Sequence, residues 1–235
     1  MGPDEQLREE FNRWAVSGRG LEMERHHSRI AEKTIEQMGI GSKDRILELG
    51  CGVGWACRRL ACLVPEGLVV GLDISDEMIH QARAASCGQD NILFICSGAE
   101  EIPWKEDFFS HALSVESFYY YPDPVQALRE TFRVLAPAGR LFMLINLYSD
   151  NAESLQWVQQ LKAPVKVLSA AEWVQLFREA GFEKVKESRV LDDRPIPETY
   201  QGQWFGSPDQ FQRFLEAGSL LVIGEKTEPT TASRG

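Results

Sequence analysis

The sequence lacks the features that would place it in a membrane or on a nucleic acid. Its 235 residues contain no apolar run near the roughly 20 residues that a bilayer-spanning helix needs. The first ten residues, MGPDEQLREE, have no apolar segment of the secretory-signal type. Basic residues do not cluster beyond Arg58-Arg59, and the formal net charge is −10, which argues against a nucleic-acid substrate. We therefore expect a cytoplasmic protein without stable membrane insertion.

The cysteines form no pattern typical of disulfides or metal binding. They are odd in number, no C-x-x-C pair occurs, and no histidine accompanies them at zinc-site spacing; they are Cys51, Cys57, Cys62, Cys87 and Cys96. We expect reduced, structural cysteines and no metal centre. Thiol chemistry such as arsenic methylation is the alternative, and it would require several cysteines to converge on one substrate.

The most informative segment begins at Asp44 and reads DRILELGCGVGWACRRL. A short apolar strand runs into Gly50, Gly52 and Gly54, and a helical pattern follows. Glycines allow a sharp turn and close approach of a ligand, and a helix starting behind them directs free N–H groups at it. The third glycine comes one residue earlier than in the nicotinamide fingerprint. Glu48, two residues before the first glycine, suits an ammonium group better than a pyrophosphate.

This segment resembles motif I of the class I S-adenosylmethionine (SAM) dependent methyltransferases. A second apolar strand, Leu68–Asp73, ends in an acid about 20 residues past the glycines, and the residues after it resemble motif II of that family. The resemblance implies that Asp73 binds both ribose hydroxyls and that Ile74 and Met78 flank the adenine. It also implies SAM as cofactor, S-adenosylhomocysteine (SAH) as product, and a cofactor site made of Glu48, Gly50, Cys51, Gly52, Gly54, Asp73, Ile74, Met78, Gly98, Ala99, Glu100 and Ser114.

Two positions depart from the family's pattern. The segment SGAEEIPW resembles the family's adenine-edge segment, but Gly98 stands where an aspartate usually accepts a hydrogen bond from the adenine amino group. Glu100, a backbone carbonyl or a water molecule would then provide that acceptor. Ser110 also stands where the family often has an aspartate. Ser114 to Glu116 match the end of the fourth strand, where cofactor and substrate meet in the family.

The alternation of apolar strands and amphipathic helices predicts an α/β fold with a Rossmann-like doubly wound sheet. The resemblance implies seven strands in the order 3-2-1-4-5-7-6, with strand 7 antiparallel. We expect two N-terminal helices split by SGRG, a fifth strand over Leu141–Leu147 after the turn APAGR, and a helix over Glu153–Leu161. The predicted divisions are a helical cap or lid over 1–40, a SAM-binding domain over 41–226 and a flexible tail over 227–235.

Two sets of residues are candidates for acceptor binding and catalysis. Nine aromatic residues would either line a roofed pocket or pack in the core: Trp14, Trp55, Phe118, Tyr119, Tyr120, Tyr121, Trp157, Trp204 and Phe205. His26 and His27 could deprotonate an acceptor, because the pKa of histidine lies near working pH. Adjacent helical residues point about 100° apart, so at most one should face the cofactor. Tyr119 and Glu116 are the other candidates, and many transferases of this type have no dedicated base.

Together these features predict a methyltransferase (EC 2.1.1.-) acting on a small, partly apolar or aromatic molecule, as a monomer or weak homodimer. It is similar to the group that includes the ubiquinone and menaquinone C-methyltransferases. Two alternatives stay open. One is a SAM-binding protein without transfer activity that serves as a partner subunit or sensor. The other is a nicotinamide-dependent oxidoreductase, against which the glycine spacing and Glu48 both count.

Overall fold

A seven-stranded sheet forms the centre of the computed structural model, which describes residues 2–196, 198–199, 202 and 204–227. The strand order is β3-β2-β1-β4-β5-β7-β6, and β7 runs antiparallel to both of its neighbours. The predicted Rossmann-like topology is therefore confirmed. The strands are β1 (Arg45–Leu49), β2 (Leu68–Asp73), β3 (Ile92–Cys96), β4 (Phe109–Val115), β5 (Leu135–Ile145), β6 (Glu183–Val190) and β7 (Ser219–Glu225).

Helices cover both faces of the sheet, and this explains why the central strands are apolar at almost every position. In β1 every residue after Arg45 is buried, whichever face it points to. The helices are α1 (Pro3–Val16), α2 (Arg19–Met38), α3 (Trp55–Leu63), α4 (Asp76–Ala85), α5 (Pro124–Val134), α6 (Ala170–Glu179) and α7 (Pro208–Ala217). None of the described helices is long and apolar enough to cross a membrane.

Helix starts follow the local sequence rules. The Ser75 hydroxyl accepts a hydrogen bond from the Met78 N–H and caps α4. Ser169 and Glu172 form a reciprocal capping box at the start of α6. The Ser75 hydroxyl also donates to the Asn12 side-chain oxygen at 2.6 Å, so the start of α4 holds α1 over the carboxyl ends of the strands.

One expectation about secondary structure was wrong, one was right in position but not in helix type, and one helix was missed. The segment APAGR is not a turn before β5, because β5 already begins at Leu135 and the segment forms an irregular part of that strand. There Ala138 has φ +62° and donates its N–H to the Lys226 carbonyl. The helix expected over Glu153–Leu161 is present as a 3-10 helix over Ala152–Gln159. Helix α7 was missed, although Ser207 and Pro208 are a typical helix start.

Two further expectations concern the cysteines and the C-terminal tail. All five cysteines are free, and Cys51 and Cys57 are buried. Of the predicted tail over 227–235, only Thr227 falls within the described residues.

Candidate active site

The site lies where the sheet changes its winding direction. From β1 the chain moves outward to β2 and β3, and it then returns to place β4 on the other side of β1. The loops that follow β1 and β4 therefore diverge and leave a crevice at the carboxyl ends of the strands.

The loop after β1 packs tightly against the loop after β4. Gly50 has φ +67°, and a Cβ at this position would lie 2.4 Å from the Ser117 Cβ, so no larger residue fits. The Ser117 hydroxyl donates to the Leu49 carbonyl at 3.1 Å and lies 2.6 Å from the Ser114 hydroxyl. It also lies 2.8 Å from the Tyr121 hydroxyl. This buried network fixes the spacing between the two loops.

The Asp73 carboxylate joins the loops that follow β1 and β2. Its two oxygens accept hydrogen bonds from the Gly52 and Ser75 N–H groups, each at 2.9 Å. Burial raises the pKa of Asp73 to about 6, although these hydrogen bonds favour the charged form. Each oxygen keeps a lone pair that can accept from a ligand hydroxyl.

Glu48 is a buried acid whose hydrogen bonding is incomplete. It is 2% exposed, and its Oε2 atom has no hydrogen-bond partner among the described residues. Burial raises the pKa of Glu48 to about 8. Because an unpaired buried acid is costly, such a group points to a missing donor or cation. Glu48 lines the cavity behind the glycine loop.

We call this space the cofactor cavity; it encloses about 100 Å³. Leu7 and Phe11 of α1 contribute to its wall. Ten of the predicted cofactor residues line it: Glu48, Gly50, Cys51, Gly52, Asp73, Ile74, Met78, Gly98, Ala99 and Glu100. Two do not. Gly54 precedes α3 as its N-cap, and Ser114 lies in the hydrogen-bonded network behind Gly50.

The structure brings Glu100 close to Gly98. The Glu100 Oε2 atom lies 3.3 Å from the point where a Cβ on residue 98 would stand. The Glu100 carboxylate therefore lies next to the position that the side chain of a larger residue at position 98 would occupy. Burial raises the pKa of Glu100.

A second cavity of about 270 Å³ adjoins the first, and we call it the acceptor cavity. Aromatic side chains dominate its wall: Trp14, Tyr119, Tyr120, Trp157, Trp204, Phe205, Phe211 and Phe214. Trp55 and Tyr121 line the cofactor cavity instead, while Phe118 is fully buried in the core. Residues shared by both walls mark the passage between the cavities: Trp14, Met23, His27, Glu116 and Tyr120.

Glu116 is held in an uncommon backbone conformation at this passage. Its φ of +57° is rare for a residue with a side chain and costs roughly 1–3 kcal/mol. The Glu116 Oε1 atom accepts from the Asn146 N–H at 2.6 Å, and Oε2 accepts from the Tyr119 hydroxyl at 2.8 Å. Burial raises the pKa of Glu116 to about 8, so the group is largely protonated at neutral pH.

The two adjacent histidines occupy different positions. The half-buried His27 lines both cavities, whereas the more exposed His26 lines only the acceptor cavity. Desolvation lowers the pKa of His27 to about 3, and nearby positive charges act in the same direction. His27 is therefore a neutral imidazole near pH 7.

Comparison with known proteins decides the family. Residues 47–143 match a family model described as a methyltransferase domain. The chain is 31% identical over 206 residues to the phthiotriol/phenolphthiotriol dimycocerosates methyltransferase 1 of Mycobacterium ulcerans, across 85% of this chain and 72% of that protein. The chain belongs to the class I SAM-dependent methyltransferases.

Other relatives agree with this family. The methyltransferase is 29% identical to the 27-O-demethylrifamycin SV methyltransferase of Amycolatopsis mediterranei, across 85% of this chain and 76% of that protein. It also resembles a putative methyltransferase solved in complex with the Haloferax volcanii Trm112 methyltransferase activator. That structure has a TM-score of 0.87 and 30% identity, over 93% of this chain and 98% of the other. The relatives named here lend no support to a nicotinamide-dependent oxidoreductase.

The cofactor cavity of the methyltransferase fits SAM chemically. The incompletely bonded Glu48 matches an ammonium donor, and the Asp73 carboxylate matches the ribose hydroxyls. Ile74 and Met78 provide apolar wall for a flat base. Among the described residues, no group of three or more histidine, cysteine or acidic side chains is placed to hold a metal ion.

Several residues near the site were missed in the sequence, and Asn12 and Arg19 are the two that matter most for the proposals below. Asn12 attaches α1 to the start of α4, and nothing in the spacing of α1 singles it out. Arg19 lies on the wall of the acceptor cavity. The segment SGRG indicated a break between helices, and the structure shows a break of two residues, but the sequence did not reveal that the arginine inside it faces a cavity.

We predict that Glu116 makes the stability of the ligand-free methyltransferase fall as pH rises. Since its pKa is raised from 4.5 to about 8, the folded state binds this proton more tightly than the unfolded state. The stabilisation is therefore complete below about pH 4.5 and is lost as pH rises through about 8. Glu116→Gln keeps the shape but does not titrate. In thermal unfolding, the variant should match the wild type near pH 5 and melt a few degrees higher near pH 9.

The pKa values of Glu48 and Asp73 are also raised, so these acids make stability fall with rising pH in both the wild type and Glu116→Gln. Only the difference between the two curves of melting temperature against pH therefore reports on Glu116. Parallel curves for wild type and variant across this range would contradict the assignment.

Proposed function

We propose that this methyltransferase transfers a methyl group from SAM to a small, partly apolar or aromatic acceptor held in the acceptor cavity. One observation carries the proposal: a cavity with an incompletely bonded acid and a larger aromatic cavity share a wall at Glu116 and His27. When bound, SAM supplies a methyl carbon on a sulfonium sulfur, and that C–S bond breaks as an acceptor lone pair bonds to the carbon. The names of the rifamycin and phthiotriol relatives support a small-molecule acceptor.

Three acids of this chain would hold the cofactor by complementary charge and hydrogen bonding. Glu48 would accept from the ammonium group, because its Oε2 atom has no other donor. Asp73 would accept from the ribose hydroxyls with the lone pairs that its backbone contacts leave. Glu100 would accept from the adenine amino group in place of a side chain at Gly98.

The chain would contribute to catalysis mainly by positioning the acceptor and excluding water. The aromatic wall orients a flat acceptor, and α1 covers the cofactor cavity. A hydroxyl acceptor also has to lose a proton. His27 is neutral near pH 7 and has a free ring lone pair, while Glu116 is protonated and holds the Tyr119 hydroxyl. We assign proton removal to His27 because of its position on the wall shared by both cavities, although a pKa of about 3 makes it a weak base in the ligand-free protein. Glu116 is the second candidate because a cation beside it would favour its carboxylate form.

The proposed adenine contact of Glu100 can be tested with a modified nucleoside. S-inosylhomocysteine has a carbonyl oxygen where SAH has the amino group, so it cannot donate a hydrogen bond from that position and instead carries its donor on the ring N1 atom. Calorimetry should show wild-type methyltransferase binding SAH at least about tenfold more tightly than the inosyl compound. Glu100→Ala should remove most of this preference, while the exposed neighbour variant Glu101→Ala should keep it.

An unchanged preference in Glu100→Ala would assign the acceptor to a backbone carbonyl or a water molecule. It would leave the proposed contacts of Glu48 and Asp73 untouched.

The proposed roles of the two histidines predict a sharp difference between matched variants. We would measure SAH formation in single turnovers with a panel of quinols and phenols. His27→Gln should slow transfer by about 100-fold or more, and His26→Gln should change it by less than about threefold. SAH affinity should be unchanged in both variants. Equal rates in both variants would remove His27 as the base, and a failure of every acceptor to promote SAH formation would favour the non-catalytic alternative.

We also propose that a Trm112-type activator adds to the exposed edge of β3. The two outer strands of the sheet differ in chemistry. Charged residues on β6 disfavour its pairing with a further strand, among them Lys184, Lys186 and Glu187. Strand β3 carries no charged residue. Among the described strands β3 pairs only with β2, and its Leu93 side chain is 47% exposed. The relative solved in complex with Trm112 supports this choice of partner.

Co-expression with a Trm112 activator should yield a complex on size-exclusion chromatography. Leu93→Lys should abolish the complex, because it places a charge on the apolar edge. Leu155→Lys changes an exposed leucine that is not on the edge strand and should leave the complex intact. Separate elution of the two wild-type proteins would contradict the proposal, as would a complex that survives Leu93→Lys.

Three expectations from the sequence remain predictions. They are the division into 1–40, 41–226 and 227–235, the monomeric or weakly dimeric state, and the cytoplasmic location.

A further inference from the structure

The charges on the wall of the acceptor cavity do not balance. Arg194 and Asp192 neutralise each other, since the Arg194 Nε atom donates to the Asp192 Oδ2 atom at 2.6 Å. Burial raises the pKa of Glu116, and desolvation lowers the pKa of His27, so both are largely neutral near pH 7. Arg19 then remains as a positive charge on this wall.

Aromatic rings hold the Arg19 guanidinium in place. Its Cζ atom lies 3.7 Å from the centroid of the Trp14 ring and 5.2 Å from that of the Trp204 ring. Such cation–π contacts orient the group without neutralising its charge. Within the described part of the chain Arg19 forms neither an ion pair nor a side-chain hydrogen bond. Its N–H donors therefore remain available to a ligand.

The positive charge acts on the interior of the cavity. Burial raises the pKa of Tyr120, and Arg19 is the strongest of the influences that oppose this shift. Tyr120 belongs to the wall shared by both cavities. The cavity is therefore electropositive, in contrast to the formal net charge of −10 for the whole chain.

We infer that the methyl acceptor is an amphipathic anion whose apolar body lies among the aromatic rings and whose anionic group pairs with Arg19. The inference rests on the proposed function, because it concerns the molecule that the acceptor cavity binds. A guanidinium suits a carboxylate or a phosphate, since it presents two parallel N–H donors. The cavity volume of about 270 Å³ matches a compact ring system better than a long chain.

A pair of probes that differ only in charge tests the inference without requiring turnover. We would titrate the SAH-loaded methyltransferase with 1-hydroxy-2-naphthoate and with 1-hydroxy-2-naphthamide by calorimetry. The wild type should bind the acid at least about tenfold more tightly than the amide, and added salt should reduce this preference. Arg19→Gln should abolish the preference for the acid. Arg19→Lys should keep part of this preference, because lysine retains the positive charge but lacks the paired N–H donors.

Arg25→Gln provides the matched control. Arg25 is an exposed, positively charged residue on the same helix as Arg19, and it does not line the acceptor cavity. The Arg25→Gln variant should therefore keep the preference of the wild type for the acid. Equal binding of acid and amide by the wild type would overturn the inference, as would an unchanged preference in Arg19→Gln. In either case the proposed function would stand, because an acceptor still binds. If neither probe binds the SAH-loaded protein, the acceptor cavity itself is wrongly assigned, and the proposed function fails with the inference.

Discussion

The close packing of the β1 loop against the β4 loop is the constraint on which the site depends. Gly50 has room only for a hydrogen atom beside Ser117, and the Ser117 hydroxyl is hydrogen-bonded to the end of β1. This contact fixes the loops where the winding of the sheet reverses, and so it sets the spacing between the two cavities. Glu48 and Glu116 stand at the ends of the same two neighbouring strands.

Buried acids dominate the electrostatics of the ligand-free site. Burial raises the pKa of Glu48, Asp73 and Glu116, and the hydrogen bonds they accept only partly offset this effect. Such acids destabilise the folded chain as pH rises, and a cationic ligand would relieve that cost. A site built in this way favours a cation in the cofactor cavity, while the positive charge of Arg19 favours an anion in the other. The two cavities thus select ligands of opposite charge across one shared wall.

The sequence predicted those features that depend on local pattern. The bounds of β2 were correct, because apolar runs and the residues that end them are encoded over a few positions. The strand order was also correct, but it was implied by the resemblance to the methyltransferase family and not by local pattern. The irregular start of β5 was missed, since its pairing with Lys226 joins residues that are distant in the chain. The positions of Arg19 and Asn12 were missed for the same reason. Neither belongs to a motif, and each acquires its role only when α1 and α2 fold over the sheet.

The most direct test of the cofactor site is a calorimetric titration of the methyltransferase with SAH, alongside Asp73→Ala, Glu48→Gln and the exposed-acid control Glu66→Gln. We expect micromolar binding to the wild type and the control, and binding weakened by at least about tenfold in the two site variants. No binding to the wild type would contradict this assignment of the cofactor site, and so would site variants that bind as tightly as the control.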